Sequence, residues 1–447
     1  MKKKWLALLI GASMLMGTLT ACGSGEAASE SGQSQASQTQ SQETGTQEAA
    51  AGTGDASGTT DFGGAEISVW VPPYASSDAA QNDQEFWDAQ FDTFEAENNC
   101  TVHVEIVPWD GYIQKITTGL TSGDGPDVLY IDTPYDLAAA GALEPLESYF
   151  TEEETANYIY WDLGQINGTQ YLAPMLVGNA SILYCNMDIL NEAGIQAVPQ
   201  TWEEFMDACM TIQETTGVQP FLQSWGGTVV KGVITTSFLP YYWQAGGEFL
   251  DSEGKPSINN EYGLKTLEFL KSFMDNGIYN ETITAEDDIK TKFQSGELAM
   301  YVGDTGSASS HTEKGINWDF TPALTGTDGI QATWIAADSL AIASNSENKE
   351  LAAAAMKYML SAPVMDAFHE QMYAMCPITT DAAYYDNERF QTMYTEQADI
   401  FNNWPQFENA DSFWDILFKN IQFMYMGDMT PQEVLDDTMA QYESQIV

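Results

Sequence analysis

Apolar and polar residues follow two alternating spacings along this chain, and the switches between them predict a succession of strands and helices. Ala65–Val71 (AEISVWV) is a β-rich run, residues 83–98 carry Phe86, Trp87, Phe91 and Phe94 at helical spacing, and residues 101–107 (TVHVEIV) return to a strand. This is a βαβ unit. A helix over about 111–122, the turn Gly123-Asp124-Gly125-Pro126, a strand over 127–131 and a helix opening near Pro134 and stopping at Gly141 extend it. That order predicts an α/β fold with a parallel sheet and helices on its faces.

From Pro174 the alternation resumes with a strand over 181–186 (SILYCN) and a short helix ended by Gly194. Thr201 stands as an N-cap with Glu204 three residues later, which predicts a capping box. Residues 262–276 turn Leu264, Leu267, Phe269, Leu270 and Phe273 inward, and residues 287–295 form a helix that Gly296 stops before the strand LAMYV at 298–302. Helical patterns over 347–360, 364–375, 412–426 and 431–445 close the chain. A body from 65 to 447 is long enough for two lobes at about 100 to 200 residues per domain.

What precedes the body has no such periodicity. Lys2, Lys3 and Lys4 followed by an apolar run to Leu19 and the small residues before Cys22 describe a secretory signal, 1–21, rather than a span. The stretch Leu19-Thr20-Ala21-Cys22 resembles the lipobox of bacterial lipoproteins, which implies that Cys22 is acylated and becomes the mature N-terminus. More than one acyl chain on that residue would give stable anchoring. Residues 23–64, rich in Ser, Gln, Thr, Gly and Ala, cannot bury enough apolar surface to order themselves and read as a tether with a reach on the order of 35 Å. No later apolar run approaches the roughly 18 residues a span requires, so the expected location is extracytoplasmic, with Cys22 as the membrane attachment.

Charge and rare residues narrow the chemistry. With 15 basic and 65 acidic residues the chain has a formal net charge of −50, which disfavours nucleic acid, anionic lipid and polyanionic ligands and favours neutral or cationic ones. Cys100, Cys185, Cys209 and Cys376 are far apart, without C-x-x-C or histidine pairing, and read as buried single thiols. His103 in a strand, His311 in a loop and His369 on a helix form no cluster for zinc or general-base work, so neither metal nor cofactor is implied. The oxygen-rich stretch 251–261 lacks the spacing of an EF-hand and reads as a surface turn.

Seven blocks, in this order, resemble the extracellular solute-binding proteins of bacterial ABC importers, the family that includes maltose-binding protein. They are FDTFEAEN with VHVEIVPWDGYIQKI, TSGDGPDVLYIDTPYDLAAAGALEPL, PMLVGNASILYCNMDILNEAGIQAVPQTWEEF, AGGEFLDSEGKPSINNEYGLKTLEFLKSFMDNG, KFQSGELAMYVGDTG, SLAIASNSENKELAAAAMKYML and GDMTPQEVLDDTMAQ. The resemblance implies two α/β lobes joined by three crossings, near 173–178, 334–338 and 376–380, around a ligand cleft. Lobe one would be 65–174 with 335–378, and lobe two 175–334 with 379–447. It implies a monomeric receptor that captures a neutral carbohydrate, an oligosaccharide, and hands it to the permease of an ABC transporter without performing chemistry.

Sugar-binding members use aromatic rings against the C–H faces of pyranoses and carboxylates against their hydroxyls. By position the candidates are Trp70, Tyr74, Asp132, Tyr135, Trp225, Asp304, Trp334, Asp338 and Trp404, whereas Trp87, Trp161, Trp202, Trp243 and Trp414 lie on helical or capping patterns and read as core. After Gly303 this chain has Asp304-Thr305-Gly306 where the family often places a tryptophan, a departure that weakens stacking at that loop. Two other readings stay open. A cleft of carboxylates and aromatics would also serve a polyamine or another cation. A secreted glycoside hydrolase would need two facing carboxylates about 5 to 10 Å apart, one with a raised pKa.

Overall fold

The computed structural model describes residues 60–446 apart from 76–77, 133, 227–229 and 279–285. The signal segment, Cys22 and the tether lie outside the described residues. The body opens with β1 (Ala65–Val71), α1 (Ala79–Asn98), β2 (Cys100–Ile106), α2 (Tyr112–Ser122), β3 (Val128–Ile131) and the short α3 (Tyr135–Ala139). A hairpin of β4 (Gln165–Ile166) and β5 (Thr169–Gln170) precedes β6 (Ala173–Gly178) and β7 (Ser181–Asn186). Then come β8 (Gln219–Phe221), β9 (Leu298–Asp304), β10 (Trp318–Thr321), β11 (Thr333–Trp334), β12 (Ala336–Ile342) and β13 (Phe401–Asn402), with helices between and after them.

Two sheets organise these strands as two α/β lobes. The first has the order β2-β1-β3-β12-β6 and the second β10-β7-β9-β8. β1 lies parallel to β2 and β3, but β12 runs antiparallel to both β3 and β6, so the first sheet is mixed rather than parallel. The reason is the path of the chain: β12 returns from the second sheet and enters the first from the opposite end. Both β6 and β7 are buried throughout, as expected of strands covered on two faces.

The chain passes from one sheet to the other at 179–180, where Asn179 takes the left-handed conformation at φ 49° that asparagine tolerates. It passes back at 335, between β11 and β12. Residues 376–378 still hold the first lobe: the Cys376 thiol donates to the Val177 carbonyl at 2.6 Å, and the Ile159 N–H donates to the Ile378 carbonyl at 2.8 Å. Arg389, the only arginine in the sequence, then stacks 3.6 Å over Trp318 and donates to the Trp318 carbonyl and to Asp319 in the second lobe. β13 completes the join by pairing with β11, Asn402 against Trp334.

Several local expectations need correction. α1 begins at Ala79, four residues before the apolar pattern, because Asp83 is an interior position whose buried carboxylate serves a neighbouring loop. Thr201 does accept the Glu204 N–H at 3.1 Å, but Glu204 reaches back to the Gln200 N–H instead of closing a box on Thr201, which is bridged to Thr325. His311 is on a helix over 308–313, not in a loop, and is fully buried. Cys100, Cys185, Cys209 and Cys376 are buried free thiols. No described helix is long and apolar enough to cross a membrane.

Candidate functional site

The C-terminal ends of β1, β2 and β3 and the N-terminal end of β12 meet at one edge of the first sheet, the edge at which open α/β sheets hold ligands. β1 leads into Pro73 and Tyr74. The carboxylate of Asp83 accepts the N–H groups of Tyr74 and Ala75, each at 2.9 Å, and thereby fixes that loop. β2 leads to Trp109, whose ring is 49 % exposed as a residue and whose Nε1 donates to the Pro73 carbonyl at 3.0 Å. The Tyr74 and Trp109 rings meet edge to face at 5.7 Å, and Tyr130 from β3 joins both, at 6.2 Å from Tyr74 and 5.4 Å from Trp109.

Asp132 stands exposed just beyond β3, and Asp338 is half-buried at the start of β12. Ile131, just before Asp132, pairs with Ser339, just after Asp338, so the two aspartates come to the same end of neighbouring strands, where β12 has an irregularity in its pairing with β6. Burial first, and the charge of Asp132 second, push the Asp338 carboxyl up to about 7, against the opposing pull of a hydrogen bond from Tyr130. The Tyr130 hydroxyl is itself pushed well above its ordinary value by burial and then by Asp338. Tyr112 braces this wall from behind, its hydroxyl donating to the carbonyls of Trp70 at 3.0 Å and Tyr130 at 3.2 Å. A cavity of about 280 Å³ opens here, lined by Tyr74, Trp109, Asn179, Asp338, Tyr373 and Met375 among others.

The facing side comes from the second lobe and the crossings. Asp304 ends β9, paired with Ser181, and its carbonyl accepts the Tyr184 hydroxyl at 2.9 Å. Gly306 lies between side chains: a Cβ there would sit 2.9 Å from Asp304 Oδ1 and 3.2 Å from Asn179 Oδ1, which places those two groups side by side at the first crossing. Trp334 and Trp404 approach at 6.3 Å through the β11–β13 pairing, and Trp404 also contacts Trp414 at 5.3 Å. Lys231 stands 5.9 Å over Trp404 and pairs with Asp411 at 3.0 Å. A longer groove of about 890 Å³ runs past Tyr135, Lys231, Trp404 and Trp414 to the exposed side of α2.

The nine candidates thus fall into three groups. Tyr74, Asp132 and Asp338 gather on the sheet edge, and Tyr135 and Trp404 share the longer groove, with Trp334 against Trp404 and Asp304 beside Asn179. Trp225 requires correction. Its ring is fully buried, its Nε1 donates to Gln223 at 2.9 Å, and Phe418 and Tyr425 of the helix over 410–426 cover it, each at 5.8 Å. Trp70 is likewise packed beneath α2, with Lys115 4.5 Å over its ring and Gly119 against its edge, on the sheet's face and not at its rim.

Sequence reasoning missed Trp109, Tyr130, Tyr373 and Asn179. Trp109 could have been found by the strand-end rule that selected Tyr74, since it follows β2 by three residues. Among the described residues no group of histidines, cysteines and carboxylates could hold a metal ion. Asp338 lines the smaller cavity and Asp132 lines neither, so the two carboxylates do not face one another across a cleft as a hydrolase pair would. What this arrangement can do is bind: rings for apolar faces, carboxylates for donors.

Comparison with known proteins agrees. The profile of the bacterial extracellular solute-binding protein family matches residues 78–366. The diacetylchitobiose binding protein DasA of Streptomyces coelicolor is 26 % identical over 321 residues, 68 % of this chain and 71 % of its own. A binding protein of Brucella abortus is 27 % identical over 365 residues, 78 % of this chain and 87 % of its own. Among solved structures, the cyclic alpha-maltosyl-1,6-maltose binding protein from Arthrobacter globiformis superposes with a TM-score of 0.70 at 20 % identity, covering 84 % of this chain and 97 % of its own. The GacH receptor of Streptomyces glaucescens, solved with acarbose, gives 0.61 at 21 % identity, covering 85 % and 98 %. At such identities these structures speak to the two-lobed fold alone.

Proposed function

This chain belongs to the bacterial extracellular solute-binding protein family, and from that premise we propose that it is the carbohydrate receptor of an ABC importer, capturing an oligosaccharide between its lobes. The observation that carries the reading is the convergence, at one sheet edge, of Tyr74, Trp109 and Tyr130 with the carboxylates of Asp132 and Asp338. Aromatic faces suit the C–H faces of pyranoses, and carboxylates accept hydroxyl donors in pairs. A relative whose name records diacetylchitobiose supports the same substrate class.

In this reading Tyr74, Asp132, Asp338, Trp109 and Tyr373 form the lobe-one wall, while Tyr135, Trp404, Trp334 and Asp304 contact ligand farther along the cleft. The lobes, 65–174 with 335–378 and 175–334 with 379–447, close about the three crossings because only the closed form lets ligand touch both walls. Cys22 is lipid-anchored after removal of 1–21, and the tether of residues 23–64 lets a monomer reach its permease from the membrane surface. The lipobox-like Leu19-Thr20-Ala21-Cys22 supports that anchoring.

A thermal-shift screen of the full chain against oligosaccharides, monosaccharides, polyamines and amino acids tests the reading. A binder of the native state raises the midpoint by mass action, by about 2.7 kcal/mol of stabilisation at a hundredfold excess over its dissociation constant. Stabilisation by a saccharide that is recovered intact supports a receptor. Recovery of a cleaved saccharide contradicts it.

A further inference from the structure

The tip of the β4–β5 hairpin touches the other lobe. Ile166 pairs with Thr169, and between them Asn167 and Gly168 take left-handed φ values of 50° and 78°, the pattern of a tight two-residue hairpin turn. This hairpin belongs to lobe one: the Gln170 carbonyl accepts the Leu146 N–H at 2.8 Å, and the Gln170 N–H donates to Glu147 at 2.9 Å. Facing it is a turn of lobe two over 251–255, in which one Asp251 carboxylate oxygen accepts the N–H groups of Glu253 and Lys255 at 2.8 and 3.0 Å. Gly254 in that turn is half-buried although Ser252, Glu253 and Lys255 are exposed, and the side chain over it is that of Asn167. A Cβ on Gly254 would meet Oδ1, Cγ and Nδ2 of Asn167 at 2.5, 3.2 and 3.7 Å, the nearest atoms beyond its chain neighbours. Glycine serves at 254 because the position combines this closeness with a φ of 74°.

The contact lies at an end of the longer groove, since the walls of that groove lead to it on both sides. On lobe one Ala142 lines the groove, and Leu146, four residues on, holds the hairpin through Gln170. On lobe two Phe407 and Trp414 line it, and Phe249, which leads into the turn, packs on them at 5.8 and 4.9 Å. Neither polar tip fills the core of its own lobe, so their meeting adds nothing to the folding of either. Its free energy enters only the balance between lobes together and lobes apart. Both tips are held by tight turns, so their contact parts when the lobes rotate about the crossings. We propose that Asn167 and Gly254 form a clasp, made when the lobes close and parted when they open, which slows the release of a ligand that it does not touch. The inference rests on the capture of a saccharide between the lobes proposed above.

A cross-link between the tips tests it. In the full chain carrying Asn167→Cys and Gly254→Cys the two thiols stand near the Cβ separation of about 3.5 to 4.5 Å that a disulfide needs, and Cys100, Cys185, Cys209 and Cys376 are buried. Wild type is first titrated with di- to hexasaccharides built of glucose, galactose, mannose, xylose, arabinose and N-acetylglucosamine. The double variant is then oxidised with and without the tightest of these, and retention of the sugar is followed by gel filtration. The expected result is ready cross-linking, a sugar held at least about tenfold longer after oxidation in its presence, poor uptake by protein oxidised alone, and ordinary binding on reduction. Thiols that do not cross-link, or a cross-linked protein that takes up and releases sugar as its reduced form does, overturn the clasp and leave the carbohydrate reading standing. A wild type that binds none of the saccharides overturns both. Asn167→Gly keeps the turn, where glycine is at ease at positive φ, and removes only the side chain; it releases the sugar about two- to fivefold faster with little change in the ligand-free midpoint. Unchanged release in that variant overturns the clasp even where the double-cysteine chain fails to fold.

Discussion

Asp83 accepts the main-chain N–H of Tyr74 at 2.9 Å with one carboxylate oxygen, and that of Ala75 at 2.9 Å with the other, from inside a helix and with no exposed surface of its own. A charged residue in the interior of α1 is therefore the anchor of the loop that carries the lobe-one wall. Asp83→Ala leaves two loop donors without their partner, which costs about 1 to 3 kcal/mol of stability. Because the loop bears Tyr74, ligand affinity falls as well, although Asp83 lines neither cavity. Denaturant unfolding and calorimetry on the same variant check both effects, and an unchanged affinity would separate the loop from the site.

Stability responds to pH through Asp338. Its carboxyl is held near 7 in the folded chain, by burial and then by Asp132, against an ordinary value of 3.8. Between those values the folded state holds a proton that the unfolded chain has released, so stability is lost as pH rises from about 4 through about 7. Asp338→Asn removes that loss. The difference in midpoint between variant and wild type grows in the variant's favour across this window and is flat below it, as scanning calorimetry at several pH values would show.

His311 gives the opposite slope. Its ring is buried between Tyr301, whose hydroxyl lies 2.6 Å from Nε2, and Gln294, 3.1 Å from Nδ1, and burial, reinforced by Lys290 and Lys314, lowers its pKa from 6.5 to about 4. The unfolded chain takes up the proton first, so stability falls as pH drops from 6.5 toward 4. His311→Gln is less stable at pH 7 because the packing is lost, but its midpoint depends less on pH across that window.

Two tryptophans separate binding from folding. Trp404→Ala removes a ring that lines the longer groove and weakens ligand binding by about 1 to 3 kcal/mol with little change in midpoint. Trp225→Ala empties a fully buried position and costs about 3 to 5 kcal/mol of stability. Calorimetric titration and denaturant unfolding of the pair are expected to give crossed results.

The strand ends were readable because local pattern sets them: β1 and β3 stop where apolar runs stop and β9 two residues after its run, and Tyr74, Asp132 and Asp304 stand at those ends. Partners distant in sequence were not. Trp225 follows β8 in a short polar loop, as ligand residues do, and only the helix over 410–426 shows that it is covered. The approach of Asp132 and Asp338 at one sheet end depends on a pairing between strands some two hundred residues apart. Asp83 looked like a helix start because nothing near it in sequence reveals the loop that it holds. Trp109 was legible and overlooked, a loop residue at a strand end read only as part of a family block.

Titration of wild-type and Trp404→Ala protein with the saccharide that most raises the midpoint, followed by mass analysis of the recovered sugar, bears most directly on the central claim. Saturable binding at one site per chain, weakened in the variant, with the sugar returned unaltered, is the result expected of a receptor. A shortened sugar, or an affinity indifferent to Trp404 in a folded variant, would contradict capture in this cleft.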